Sequence, residues 1–90
     1  PEQPLVLASV ETSDLVHKVN KELGTDFVRY QKLNLGENPC LAARKLYGEL
    51  RKLSQDSDAF IVFIQQAQHQ KEAWQAVMNR LGRAASLVLS

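Results

Sequence analysis

The chain has 90 residues, a single cysteine, and eleven Lys and Arg against ten Asp and Glu, for a formal net charge of +1. One cysteine excludes an internal disulfide framework and fits a reducing compartment, and the near-neutral balance excludes a global field that would recruit nucleic acid or an anionic membrane. Hydrophobic residues at 44% with 23% charged are ordinary for one globular domain close to the smallest size at which a core suffices without staples.

Helix punctuation dominates the chain. Gly24, Gly36 and Gly82 each follow an apolar run, while Ser13, Asp26, Asn38-Pro39 and Asp56-Ser57-Asp58 each precede one. These are the residue types that the unpaired backbone groups at helix ends require. The pattern predicts an all-α fold, a compact bundle of about five short antiparallel helices with a tail or a short sixth helix at the C-terminus.

Residues 1–11 read as an extended lead-in that lays Leu5, Val6 and Leu7 on the bundle. Helix one spans about Ser13 to Leu23, with Leu15, Val16, Val19 and Leu23 on one face and Val10 placed to staple onto Val16. Helix two spans about Asp26 to Leu35 and presents Phe27, Tyr30 and Leu33. Helix three opens at Asn38, whose side chain can accept from first-turn amides, with Pro39 at the first helical position. Its apolar face is Ala42 or Ala43, Leu46, Leu50 and Leu53, and Gly48 in its middle is read as the close approach of a neighbouring helix. Helix four takes the run Ala59 to Ile64 through Ala67; a strand could use the same residues, but the Asp-Ser-Asp cap and the 60, 63, 64, 67 spacing favour a helix in the middle of the bundle. Helix five carries Trp74, Val77, Met78 and Leu81 and closes at Gly82, leaving residues 83–90 as the tail. The expected core is Leu23, Leu46, Leu50, Phe60, Phe63, Ile64, Trp74, Val77 and Leu81.

Chemistry is sparse. Two distant histidines, His17 and His69, and one cysteine do not make a metal site, so neither a metal nor a cofactor is expected. Cys40 sits in the first turn of helix three, where a thiolate would be favoured, but with no base nearby it reads as a buried or half-buried structural residue. No phosphate loop is present: Gly36 to Pro39 is a connection between helices. His69, at the turn after helix four, reads as a cap, with a pH switch as the alternative. No segment reaches the length of a membrane span and no signal sequence opens the chain. The start at Pro1, with Met78 as the one methionine, points to residues 1–90 as a single domain excised from a larger intracellular protein.

The remaining signal is surface. Arg44, Lys45, Arg51 and Lys52 recur at heptad spacing on helix three; Arg29 and Lys32 extend the patch, with Tyr30 and Tyr47 at its edge. The bland reading is a solvated face. The functional one is a basic and aromatic groove for another protein or an acidic, amphipathic peptide helix. Nucleic acid is not expected, because Glu49 interrupts the patch.

The stretch Leu41 to Gly82, an Arg-Lys-Leu helix followed by Ala-Phe-x-x-Phe, resembles the second half of a death-fold recruitment domain. The run from Phe60-x-x-Phe63-Ile64 to Trp74 is similar to harmonin-N-like domains, which bind peptide helices in a groove. Both resemblances imply an adaptor, and neither supplies a functional residue. The expectation is therefore a non-enzymatic protein-binding module of a scaffold or regulator, with death-fold assembly through charged faces as the alternative.

Overall fold

The computed structural model describes residues 3–89. In chain order it forms β1 (Leu5–Ala8), α1 (Leu15–Leu23), β2 (Arg29–Lys32), α2 (Pro39–Leu53), β3 (Ala59–Ile64), two 3-10 turns (Ala67–Gln70 and Glu72–Trp74), α3 (Gln75–Ala84) and β4 (Ala85–Leu89). The strands make one sheet in the order β2-β3-β1-β4, every neighbouring pair parallel. This is an α/β fold, and it corrects the expected all-α bundle.

Four segments carry the correction. The lead-in contains β1, a central strand. The expected helix two contains β2, where Tyr30 and Lys32 alternate with Arg29 and Gln31. The expected helix four is β3, and the tail holds β4. In β1 and β3 every residue but Ile64 is buried, because both faces of the sheet are covered; such strands lose the polar alternation that marks a strand.

Alternation appears instead as two separate cores. Leu5, Leu7, Ile61 and Phe63 face one side with Ala42 and Leu46 of α2 and Val77 and Leu81 of α3. Val6, Ala8, Phe60 and Val62 face the other with Leu15 and Val19 of α1. Right-handed crossovers require this division. The chain moves one way across the sheet from β1 to β2 and the opposite way from β2 through β3 to β4, so α1 lies on one face and α2 and α3 on the other.

Of the expected core, Leu46, Phe60, Phe63, Trp74, Val77 and Leu81 are buried, and Leu23, Leu50 and Ile64 pack half-buried against it. Helix three stands as read: Asn38 Oδ1 accepts from Cys40 N–H at 2.9 Å and Leu41 N–H at 3.2 Å, with Pro39 next to the cap. Gly24 closes α1 at φ 66°, its N–H donating to Asn20 O. The Asn20 side chain then bridges to the loop before β2, donating to Phe27 O at 2.8 Å and accepting from Phe27 N–H at 2.8 Å. Val10, read as a staple, is exposed. Gly82 lies inside α3, which continues to Ala84.

Gly48 is exposed, and a Cβ there would meet nothing within 4 Å, so no neighbouring helix approaches it. Glycine in a helix interior costs backbone entropy that no contact offsets here. Gly48→Ala is therefore expected to stabilise the fold by about 0.5–1 kcal/mol, read as a raised urea midpoint with an unchanged slope.

Candidate functional site

In an open parallel sheet, the natural place for a ligand is the crevice outside the carboxyl ends of two adjacent strands whose onward connections leave to opposite faces. β1 and β3 are such a pair: β1 leads to α1 on one face and β3 to α3 on the other. A cleft of about 730 Å³ opens at this edge of the sheet. Its walls are Glu11 from the loop after β1, residues 32–37 from the end of β2 and its loop, and Phe63, Ile64, Gln66, Gln68 and His69 from the end of β3 and the turn beyond.

Each wall is held by a local device. After β2, Asn34 Oδ1 accepts from Gly36 N–H at 2.9 Å, and Gly36 takes φ 76°, a conformation that glycine adopts without strain. A Cβ on Gly36 would lie 3.6 Å from Lys45 Nζ, which places that ammonium over the rim. Across the cleft, Glu11 receives the Tyr30 hydroxyl proton as a hydrogen bond and pairs with Lys32 Nζ at 3.3 Å. The Tyr30 hydrogen bond, with Lys32 behind it, holds the Glu11 carboxyl below its ordinary range, and the same contact raises the Tyr30 phenol.

His69 forms the floor. It is 8% exposed, its ring 4.9 Å from the Phe63 ring and 4.6 Å edge-on from Trp74. Its Nδ1 accepts the Gln66 backbone N–H at 2.9 Å. Burial lowers its pKa, and an accepting Nδ1 requires the neutral tautomer with the proton on Nε2. The expected cap is thus present, because Gln66 and His69 bond reciprocally at the start of the 3-10 turn.

The residues of the expected basic groove do not come together. Arg29 is at the amino end of the sheet, its Nε and Nη2 each 2.9 Å from the Asp56 carboxylate, where Gln31 adds a bond at 3.2 Å. Tyr30 lies on the α1 face, stacked on Phe60 at 5.7 Å. Lys32 reaches the cleft. Arg44, Lys45, Tyr47, Arg51 and Lys52 are exposed on α2, which packs on the opposite face of the sheet from Tyr30. The sheet separates Tyr30 from the α2 residues, and Arg29 lies at its far, amino end. Cys40, expected to be buried or half-buried, is exposed and lies outside the cleft. The cleft residues that sequence reading passed over are Glu11, Asn34, Gln66 and Gln68; the signal for them was polar residues immediately after short apolar runs, which in a parallel sheet mark the carboxyl ends of strands.

Among the described residues, no group of three His, Cys, Asp or Glu stands together as a metal site, and no helix is long and apolar enough to cross a membrane. A family model described as the threonylcarbamoyl-AMP synthase C-terminal domain matches residues 1–86. The chain belongs to this family. No curated protein and no solved structure matches the chain. Membership in the threonylcarbamoyl-AMP synthase C-terminal domain family, together with the α/β fold, overturns the reading of a helical adaptor or death-fold module. It also ties the chain to an enzyme, where none was expected. In a threonylcarbamoyl-AMP synthase C-terminal domain, the carboxyl-edge cleft is the feature that calls for a role.

Proposed function

We propose that this chain serves threonylcarbamoyl-AMP formation as a binding domain, its cleft holding a polar ligand while bond-making takes place in the rest of the synthase. The observation that carries this reading is the composition of the cleft: amides, two carboxylates, the Lys32 ammonium and one neutral imidazole, with no serine, threonine or cysteine nucleophile on its walls. Cys40 lies elsewhere, and the imidazole nitrogen that would act as a base accepts a backbone N–H. The protein partner in this reading is the remainder of the synthase, and the setting is intracellular, where nucleotides are available.

The test uses the full-length enzyme. Gln68→Trp, at a half-buried position on the wall, fills the cleft. It is expected to lower kcat/KM for threonylcarbamoyl-AMP formation at least about tenfold, the size of effect given by losing one strong positioning contact. The isolated chain is expected to show no turnover. Unchanged kinetics in the variant, or turnover by the chain alone, overturns the reading.

A further inference from the structure

The near-even charge count of this chain conceals a segregation. α2 and α3 hold six of the eleven Lys and Arg (Arg44, Lys45, Arg51, Lys52, Arg80 and Arg83) and one of the ten Asp and Glu, Glu49, which leaves five cations and nine acids everywhere else. Both helices cover the same face of the sheet, all six cations are exposed, and none makes an ion pair among the described residues. At 3.6 residues per turn, Leu41, Arg44, Lys45, Gly48, Arg51 and Lys52 share an exposed arc of α2 about 120° wide, with Gly48 at its middle. Glu49 interrupts the patch in the sequence but lies beyond this arc, half-buried on the flank. The four cations of α2 each stand three or four residues from Gly48, so they surround it on the helix surface, and Tyr47, 55% exposed, stands beside Arg44 and Arg51. Nothing inside the fold requires this glycine: a Cβ would meet no atom within 4 Å and its φ is not positive, yet it weakens the helix. A bare stretch of helix ringed by cations instead lets an anionic chain come closer than side chains would permit.

We propose that a folded RNA lays its phosphate backbone across α2 at Gly48. Arg44 and Arg51 bind phosphate oxygens on one flank and Lys45 and Lys52 on the other, while Tyr47 stacks on an unpaired base. This face shares no residue with the walls of the cleft and stands independently of the binding-domain reading. An anionic membrane suits it less, because Leu41 is the one apolar side chain on the arc and gives too little area to sink into a bilayer. An acidic protein segment lacks, for the same reason, the apolar centre around which protein interfaces are built. Duplex DNA supplies the phosphates but no unpaired base for Tyr47.

The test is fluorescence anisotropy of a labelled RNA hairpin with an unpaired loop, titrated with the 90-residue chain across a salt series. Binding is expected to weaken with salt along a log-log slope of roughly −3, from four phosphates at about −0.7 each for unpaired RNA. Arg44→Gln combined with Arg51→Gln is expected to cut that slope to roughly half. Tyr47→Ala is expected to weaken binding at least about fivefold with the slope unchanged, the loss of one stacked base. Gly48→Gln adds no charge and installs a good helix former, so it is expected to raise the urea midpoint while weakening RNA binding at least about fivefold; a glycine with no outside role would move stability alone. Gln68→Trp, which fills the cleft, is expected to leave RNA affinity unchanged. No binding to the hairpin overturns the proposal, as does a slope that the arginine pair leaves in place, or Gly48→Gln binding as tightly as the parent. Equal affinity for duplex DNA, polyglutamate or phosphatidylserine vesicles overturns it as well. Any of these failures leaves the cleft reading standing, because that reading is decided by the kinetics of Gln68→Trp.

Discussion

Replacing Phe60 by Ala is expected to remove about 3–5 kcal/mol of stability, enough to leave the domain largely unfolded at physiological temperature. A chain of this length holds only roughly 5–13 kcal/mol in total. Phe60 is fully buried in β3, at the centre of the core beneath α1. Its ring meets Phe27 edge-on at 5.6 Å and stacks on Tyr30 at 5.7 Å. Truncation strands both partners, and the cavity cannot collapse, because Val6 and Val62 are held in the ladder by their own backbone pairing. The loss spreads to the cleft, since Tyr30 orients Glu11. Chemical denaturation checks the figure; a loss below about 1 kcal/mol would mean that β3 does not occupy the centre of the sheet.

The second large effect is a backbone one. Ile61→Pro is expected to abolish cooperative folding, with no sigmoidal thermal transition, whereas Ile61→Val costs about 0.5–1.5 kcal/mol and retains one. Ile61 N–H donates to Pro4 O at 3.0 Å, and β3 is paired on both edges, to β1 and to β2. Proline removes that donor and pushes its ring into the neighbouring strand, in a place where no water can substitute. The valine control separates backbone from side chain: both substitutions shorten the apolar group, and only one breaks the ladder. A cooperative transition in Ile61→Pro, seen by calorimetry, would place residue 61 outside a central strand.

The helices were readable because their caps are local chemistry. Asn38-Pro39 and Gly24 do in the fold what their side chains and backbone freedom suggest, and Trp74, Val77 and Leu81 keep helical spacing over a single face. The strands were not readable, for three different reasons. β1 offers only four residues, all buried, with no polar positions to reveal its period. β3 follows Asp56-Ser57-Asp58, and Asp56 does accept from a backbone N–H two residues on, at Asp58; but that is a turn before a strand, made by the same hydrogen bond that a helix cap would use. Around β2, Phe27, Tyr30 and Leu33 repeat every three residues and imitate a helix, while the buried pair Leu33 and Leu35 just after the strand follows a period of two. Missing the strands meant missing the site. Glu11, Asn34, Gln66 and Gln68 acquire meaning only once β1, β2 and β3 are known to end side by side, and His69, read as a cap, is a wall of the cleft as well.

The strand order also governs when this domain can form during synthesis. β1 is the first strand of the domain to be made, yet its partners are β3 on one side and β4, the last strand of the sheet, on the other: Leu5 lies opposite both Ile61 and Ala85. While the ribosome is still adding α3, Leu5–Ala8 is an apolar strand with an unpaired edge. The sheet closes only once the last strand is available, so folding is dominated by distant contacts, the slow regime for small domains. Truncations that shorten β4 therefore act on the first strand of the domain as much as on the last.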